Sequence, residues 1–235
     1  MHLAVLYFFW VNFILFHQRI DPCEDAKAGA GKVTAFAKDS VFNDALRNIN
    51  SAFVSDHKEH AIAFGKDPYD NIFSSGITNG NANGASVPPI INGFADLHNH
   101  PNNLPPDAGD LYGLIDINRR RKEYDSRFVV TVPGAVYALL ITDTVAVAAF
   151  NTNYPRQVPA FAGGPPGFPV VIVDEFREMK YQYDCTDEMA LAFILEKYNA
   201  GIALLKQDSR GTFKKLRTIV SKDAGRLIFK AANCE

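Results

Sequence analysis

Two histidines two residues apart, followed after a proline-rich stretch by an aspartate, are the residues of this chain best suited to chemistry. They read Leu97-His98-Asn99-His100-Pro101, then Pro105-Pro106-Asp107-Ala108-Gly109-Asp110. Side chains on a strand alternate between faces, so His98 and His100 leave the same face and can reach one metal ion. Pro101 stops the strand and turns the chain away. Asp110 falls in the first turn of the next helix, from which a carboxylate can return to the strand end. Two imidazoles and a carboxylate suit Zn2+, and three protein ligands leave a fourth position for water. Water on zinc ionises with a pKa of about 7 and then needs a base. Upstream of the histidines the only glutamates are Glu24 and Glu59. Glu59 stands where a helix passes into a strand, and its expected role is to carry a proton from the water to a leaving amine. Taken singly, the histidines read as ordinary polar residues, and Asp107 and Asp110 as a helix N-cap and an acid of the first turn. It is their combined spacing that favours a metal site.

The elements that must position these residues follow from periodicity. Val41, Phe42, Ala45, Leu46, Ile49 and Phe53 recur at helical spacing and predict a helix over residues 40–54, capped by Ser40. Residues 59–64 predict a buried strand, residues 72–78 its partner across a turn, and the Asn- and Gly-rich residues 79–86 a loop. Residues 93–100 form the strand that carries the histidines, and Asp107 opens a helix expected to reach about residue 124, burying Leu111, Leu114 and Ile115. Strands are expected at 127–132, 135–141 and 145–150, a Pro/Gly loop at 154–169 and a Thr186-capped helix at 186–198. Residues 202–206 and 212–216 read as a hairpin around Asp208-Ser209-Arg210-Gly211. The class is therefore α/β, with a mixed β-sheet flanked by helices rather than a doubly wound parallel sheet.

The H-x-H-P string, the spacer and the Asp107-to-Asp110 segment resemble the JAMM signature of the JAB/MPN metallopeptidases, in which S-x-x-D follows H-x-H-P. Glu59 matches that family's upstream glutamate. The resemblance covers roughly residues 40–150, and its wording is closest to JAB-like domains at the ends of bacterial secreted or toxin-like proteins. It implies a cytidine-deaminase-like core, zinc held by His98, His100 and Asp110, and Glu59 as general base. It also implies hydrolysis of a peptide or isopeptide bond in a peptide or protein substrate, ubiquitin-like conjugates included; other members are catalytically silent scaffolds. Two departures stand out. The spacer is one residue shorter than in eukaryotic members, and Asp107 occupies the position of the family's serine. That serine's hydroxyl donates to the developing oxyanion, whereas an ionised carboxylate cannot donate. Losing one such donor costs on the order of 10²–10³ in rate. Asp107 thus joins Glu59 as a position that decides catalysis, and Asn99, Asn102 and Asn103 are candidate substitute donors. Three readings follow: a zinc peptidase or isopeptidase, a silent binding module of the same fold, and, from the literal string His98-Asn99-His100 alone, an HNH-type nuclease.

Composition narrows the partners. A formal net charge of -2 offers no basic field for nucleic acid, and the run from Arg119 to Lys122 complements the dipole at the end of a predicted helix. No nucleic-acid partner is expected. Three cysteines without a C-x-x-C pair leave room for one disulfide, for which Cys185 with Cys234 is the favoured pairing. Residues 3–16 are almost wholly apolar yet too short for a membrane span, which needs about 20 residues. They read as a secretory leader, pointing to a secreted or extracytoplasmic protein. The missing Lys or Arg before the run and the poor cleavage site keep open a misassigned start or the remnant of a larger chain, with a cytoplasmic location. The expected plan is a leader over 1–22 and one domain over 23–235, with a C-terminal extension from about 170.

Overall fold

The computed structural model describes residues 23–131, 134–158 and 166–234; residues 1–22, read above as a leader, lie outside them. In chain order these residues form α1 (Glu24–Ala37), α2 (Ser40–Asp56), β1 (His60–Lys66), β2 (Ile72–Ser74), β3 (Thr78–Asn79), β4 (Gly93–His100), α3 (Ala108–Arg120), β5 (Ser126–Thr131), β6 (Val136–Ile141), α4 (Thr144–Asn153), α5 (Val170–Gln182), α6 (Asp187–Lys197), β7 (Ile202–Gln207), β8 (Phe213–Asp223) and β9 (Arg226–Asn233). The strands make one nine-stranded sheet in the order β2-β1-β4-β5-β6-β7-β8-β9, with β3 also paired to β1. Every pairing is antiparallel except β4 with β5, whose parallel register runs from Ala95–Ser126 to His100–Thr131. A parallel pair needs a crossover, and α3 is that crossover.

Alternation along the central strands gives the sheet two apolar faces. Ile62, Phe64, Ala95, Leu97, Phe128, Ala138 and Leu140 pack with Phe42, Ala45 and Ile49 of α2 and Ala26, Val33 and Ala37 of α1. Tyr137, Leu139, Ile202 and Leu204 point the other way and pack with α3, α4, α5 and α6. β7 and β8 continue the same sheet and α6 belongs to the same core, so residues 202–216 are structurally continuous with the strands that carry the histidines.

Several expectations change. Asp39, not Ser40, caps α2: its carboxylate accepts from the Val41 N–H at 2.8 Å. The helix opened by Asp107 ends at Arg120, because Arg121 is extended. Residues 145–150 are helix α4, not a strand. Asp143 accepts from the Val145 and Ala146 N–H groups at 2.8 and 3.0 Å, and the buried residues Ala146, Val147 and Phe150 fall on one helical face. A cap and an alanine-rich interior outweigh the β-branched valines. Helices α1 and α5 and strand β9 had no counterpart in the sequence reading. The disulfide joins Cys23 to Cys234, not Cys185 to Cys234. Cys185 is free and buried against Met179 and Ala190. β9 instead carries Cys234 back alongside Lys215, whose carbonyl accepts the Cys234 N–H at 2.9 Å. Lys215 also meets Asp25 of α1 at 3.1 Å, which brings the start of α1 to the same place.

Candidate metal centre

The site is built where β4 ends. Asp96, His98 and His100 share one face of that strand by alternation, the face covered by α3. The crossover from β4 to β5 places the first turn of α3 over the strand end. There His98 Nε2 lies 2.8 Å from Asp110 Oδ1, His100 Nε2 lies 3.3 Å from Asp110 Oδ2, and the two Nε2 atoms are 3.2 Å apart. All three residues are 6% exposed, and their ligand atoms all lie within 4.8 Å of one another. Donors bound at about 2.0–2.1 Å to a tetrahedral ion stand about 3.3 Å from each other. Each histidine meets a different oxygen of Asp110, and one donor atom from each residue lies within 4.8 Å of the others, a grouping that could hold one metal ion.

The rings are aimed from behind. His100 Nδ1 sits 3.0 Å from the Leu104 carbonyl, an acceptor that demands the proton on Nδ1 and leaves Nε2 facing the cluster. His98 Nδ1 lies 3.6 Å from Asp96 Oδ1. Asp96, fully buried, is fixed in turn by the Arg127 Nε at 3.0 and 3.1 Å and by the Tyr124 hydroxyl, which donates to Oδ2 at 2.8 Å. Arg127 also donates from Nη1 to the Asp110 carbonyl at 3.1 Å, so one guanidinium ties β4 to the start of α3. Gly113 makes room for it: a Cβ there would stand 2.3 Å from Arg127 Nη1. Sequence reading passed over Asp96, Tyr124, Arg127 and Leu104. The available signal was Asp96, an acid two residues before His98 on the same face of an otherwise apolar strand, where burial demands a partner.

Electrostatics follows the geometry. Burial works against charge on the histidines, but the Asp110 carboxylate outweighs it, raising the His98 pKa to about 10 and His100 above its ordinary value. Burial would also raise Asp110, yet the two histidines hold it well below the usual carboxylate range. Among its own groups the protein thus stabilises positive charge at the point between the three side chains. A divalent cation at that point would meet the same demand in place of the protons.

Glu59 immediately precedes β1. The β1–β4 ladder ends at the Ala61–His98 pair, two residues from Glu59; were its register continued, Glu59 would lie opposite His100. Its main chain is held by the Glu59 N–H to the Asn81 carbonyl and the Gly80 N–H to the Glu59 carbonyl, both at 2.8 Å. Burial raises its pKa, opposed by His98 and His100 and assisted by Asp110 and Asp107, so Glu59 lies within the field of the cluster. Asp107 has another task. It caps α3, accepting the Asp110 N–H at 3.1 Å, while Asp110 Oδ2 accepts the Asp107 N–H at 2.9 Å. Burial, then Asp110, raises its pKa. Of the asparagines considered as substitute donors, Asn99 is excluded. It projects to the opposite face, with its amide bonded to Lys58 and His60. Asn102 accepts from the Leu104 N–H at 3.3 Å, and Asn103 adopts a left-handed backbone.

A large groove lies elsewhere. About 1340 Å³ in volume, it is lined by Lys32, Phe36, Gly93, Phe94, Arg121 and Asp125 among others, at the beginning of β4 rather than its end. No family model matches the chain, and no curated protein or solved structure matches it.

Proposed function

We propose that the protein is a zinc-dependent peptidase or isopeptidase on a JAB/MPN-like, cytidine-deaminase-like core. The observation that carries this reading is the burial of His98, His100 and Asp110 with their ligand atoms within 4.8 Å of one another, and the Nδ1 of His100 turned to a backbone acceptor. The core is supported by the β4–α3–β5 crossover, with the histidines at the end of its first strand and Asp110 at the start of its helix. Zinc bound there supplies Lewis acidity and a water of pKa about 7. Glu59, desolvated and within the field of the cluster, would serve as the general base, its carboxylate holding the proton that passes to the leaving amine nitrogen. The Leu104 carbonyl keeps the His100 imidazole turned inward, and Asp96 faces His98 Nδ1 as an ion-pair neighbour at 3.6 Å. The substrate is a peptide or protein, ubiquitin-like conjugates being one class, and nucleic acid has no place in the reading. The Cys23–Cys234 bridge supports an extracytoplasmic setting, since disulfides persist in oxidising compartments. No helix among the described residues is long and apolar enough to cross a membrane.

A second reading rests on Asp107. Occupied in capping α3, its carboxylate offers no hydrogen to an oxyanion, which favours a catalytically silent binding module that keeps the metal. Metal content by inductively coupled plasma mass spectrometry, measured beside peptide cleavage, separates the two. The peptidase reading expects about one zinc per chain, lost in His98→Ala/His100→Ala and retained in Glu59→Gln, with cleavage abolished in both variants. Zinc without cleavage, or cleavage indifferent to Glu59→Gln, selects the binding module. No zinc after reconstitution removes the metal reading altogether.

A further inference from the structure

Asn99 stands between the two histidines in sequence and on the opposite face of β4. Its neighbours on that face, Ala95 and Leu97, are wholly buried in the apolar core against α2, and Asn99 itself is 0% exposed. A side-chain amide in such a place must find partners for both its ends. It finds them on the segment around Glu59. Oδ1 accepts the His60 N–H at 2.7 Å, and Nδ2 donates to the Lys58 carbonyl at 3.0 Å. One amide therefore grips the main chain on both sides of Glu59, beyond the Ala61–His98 pair at which the β1–β4 ladder ends. The other restraints on this segment come from elsewhere. The Glu59 N–H and carbonyl bond to Asn81 and Gly80 of the outer loop. The His60 ring meets Asp56 Oδ1 at 2.9 Å through Nε2 and Asn79 Oδ1 at 3.1 Å through Nδ1. Of these partners, Asn99 alone belongs to the strand that carries the histidines.

We propose that Asn99 is the positioning residue for Glu59, setting the distance between the base and the metal centre by anchoring the base's backbone to the strand that bears two of the ligands. This rests on the reading of Glu59 as the base. Asn99 touches neither metal nor substrate, and its effect passes through the Lys58 and His60 peptide groups. An apolar residue at 99 would pack on the same face but leave those two groups to find other partners. Aspartate would keep the acceptor for His60 and lose the donor to Lys58.

The test uses the full chain and the variants Asn99→Ala and Asn99→Asp, loaded with Co2+ as a paramagnetic stand-in for zinc. Metal stoichiometry and cooperative melting are expected to persist. In Asn99→Ala the paramagnetic shifts of the Glu59 and His60 amides should move while those of Ala95, Leu97 and Asp110 stay in place. Amide hydrogen exchange over residues 58–60 should rise on the order of tenfold or more, as local opening becomes easier. On a peptide that the wild type cleaves, kcat should fall on the order of 10²-fold, the cost of a base misplaced by about 1 Å, with KM nearly unchanged and partial recovery in Asn99→Asp. Unchanged shifts and exchange in Asn99→Ala overturn the proposal whether or not any substrate is cleaved. Moved shifts with full kcat overturn it as well. Should the wild type cleave nothing, the peptidase reading fails, and the shifts and exchange still decide whether Asn99 places Glu59. Should Co2+ not bind, the metal reading fails, and exchange over residues 58–60 decides alone.

Discussion

The two ends of β4 are opposite kinds of place. At its end, His98 and His100 sit in a cramped, buried cluster with Asp110, their polar atoms converging on one another. At its beginning, Gly93 and Phe94 open onto a groove of about 1340 Å³ rimmed by Asp25, Lys32, Asp39, Lys66, Arg121 and Glu123. Those charges are of both signs and mostly solvated, with Ile91 75% exposed beside them. Volume is on one side and convergent chemistry on the other. A metal ion needs only the gap between three donors, so the size of a cavity does not mark this kind of site; buried donors aimed at one point do.

The sharpest way to separate the two ends is to loosen one and watch the other. The Cys23–Cys234 bridge closes a loop over a sequence separation of 211 and fastens the start of α1, the helix that walls the groove. Chain-entropy arguments give such a cross-link up to about 5 kcal/mol. Cys23→Ala/Cys234→Ala should therefore lower stability in chemical denaturation by an amount approaching that, the largest effect expected here. Its zinc content at 25 °C should nevertheless match that of the intact protein. A loss of zinc in proportion to stability would show that the ends are coupled. Arg127→Ala acts from the other side. It removes the nearer of the two ion-pair partners of the fully buried Asp96 carboxylate, His98 being the other, and breaking such a buried pair typically costs about 3–5 kcal/mol. Because Asp96 and Asp110 are both held by that guanidinium, zinc affinity should fall along with stability, on the order of 10–100-fold by competition with a chelating dye. A variant destabilised to this degree with unchanged affinity would mean that the network serves the fold only.

How much of this could be read from the chain divides along the same line. His98, His100, Pro101 and Asp110 were legible because strand alternation, a proline stop and a helix's first turn are local patterns. The mixed sheet, α2, α6 and the β7–β8 hairpin were legible for the same reason. What failed needed distant partners. Asp96 stands 28 residues from Tyr124 and 31 from Arg127 and meets them through the pairing of β4 with β5. Asn99 reaches Lys58 and His60 across the sheet. The disulfide depends on where β9 ends, and β9 depends on a two-residue turn, Ala224-Gly225, in which both residues have positive φ. Alanine does not announce such a turn as asparagine would. Residues 145–150 misled because a Val/Ala/Phe run carries no strong periodicity and a single cap, Asp143, settled the outcome.

The pH dependence of the cluster is the next comparison, smaller and reversible. The His98 pKa, raised to about 10 by Asp110 against the opposing effect of burial, lies above its unfolded value of about 6.5. A group shifted in this direction stabilises the fold fully below the unfolded value and loses that contribution as pH rises through the folded one. In chelator-treated protein the melting temperature should fall between about pH 6.5 and 10. With zinc in place of the protons, the fall over that window should largely vanish. A metal-stripped protein with a flat profile there would show that His98 is not held charged by Asp110.

The smallest effect expected is the most useful for the comparison, because it tests the claim that the groove is not where the chemistry resides. Ile91 and Glu123 both line it, and both are exposed. Ile91→Ser and Glu123→Gln remove no buried contact and no cap, so each should change stability by no more than about 0.5 kcal/mol. Zinc content and the rate of any peptide cleavage should stay at wild-type values. If instead either change raises KM for a peptide while leaving zinc content alone, the substrate extends from one end of β4 to the other. The groove then holds the part of the substrate that the metal centre is too small to recognise.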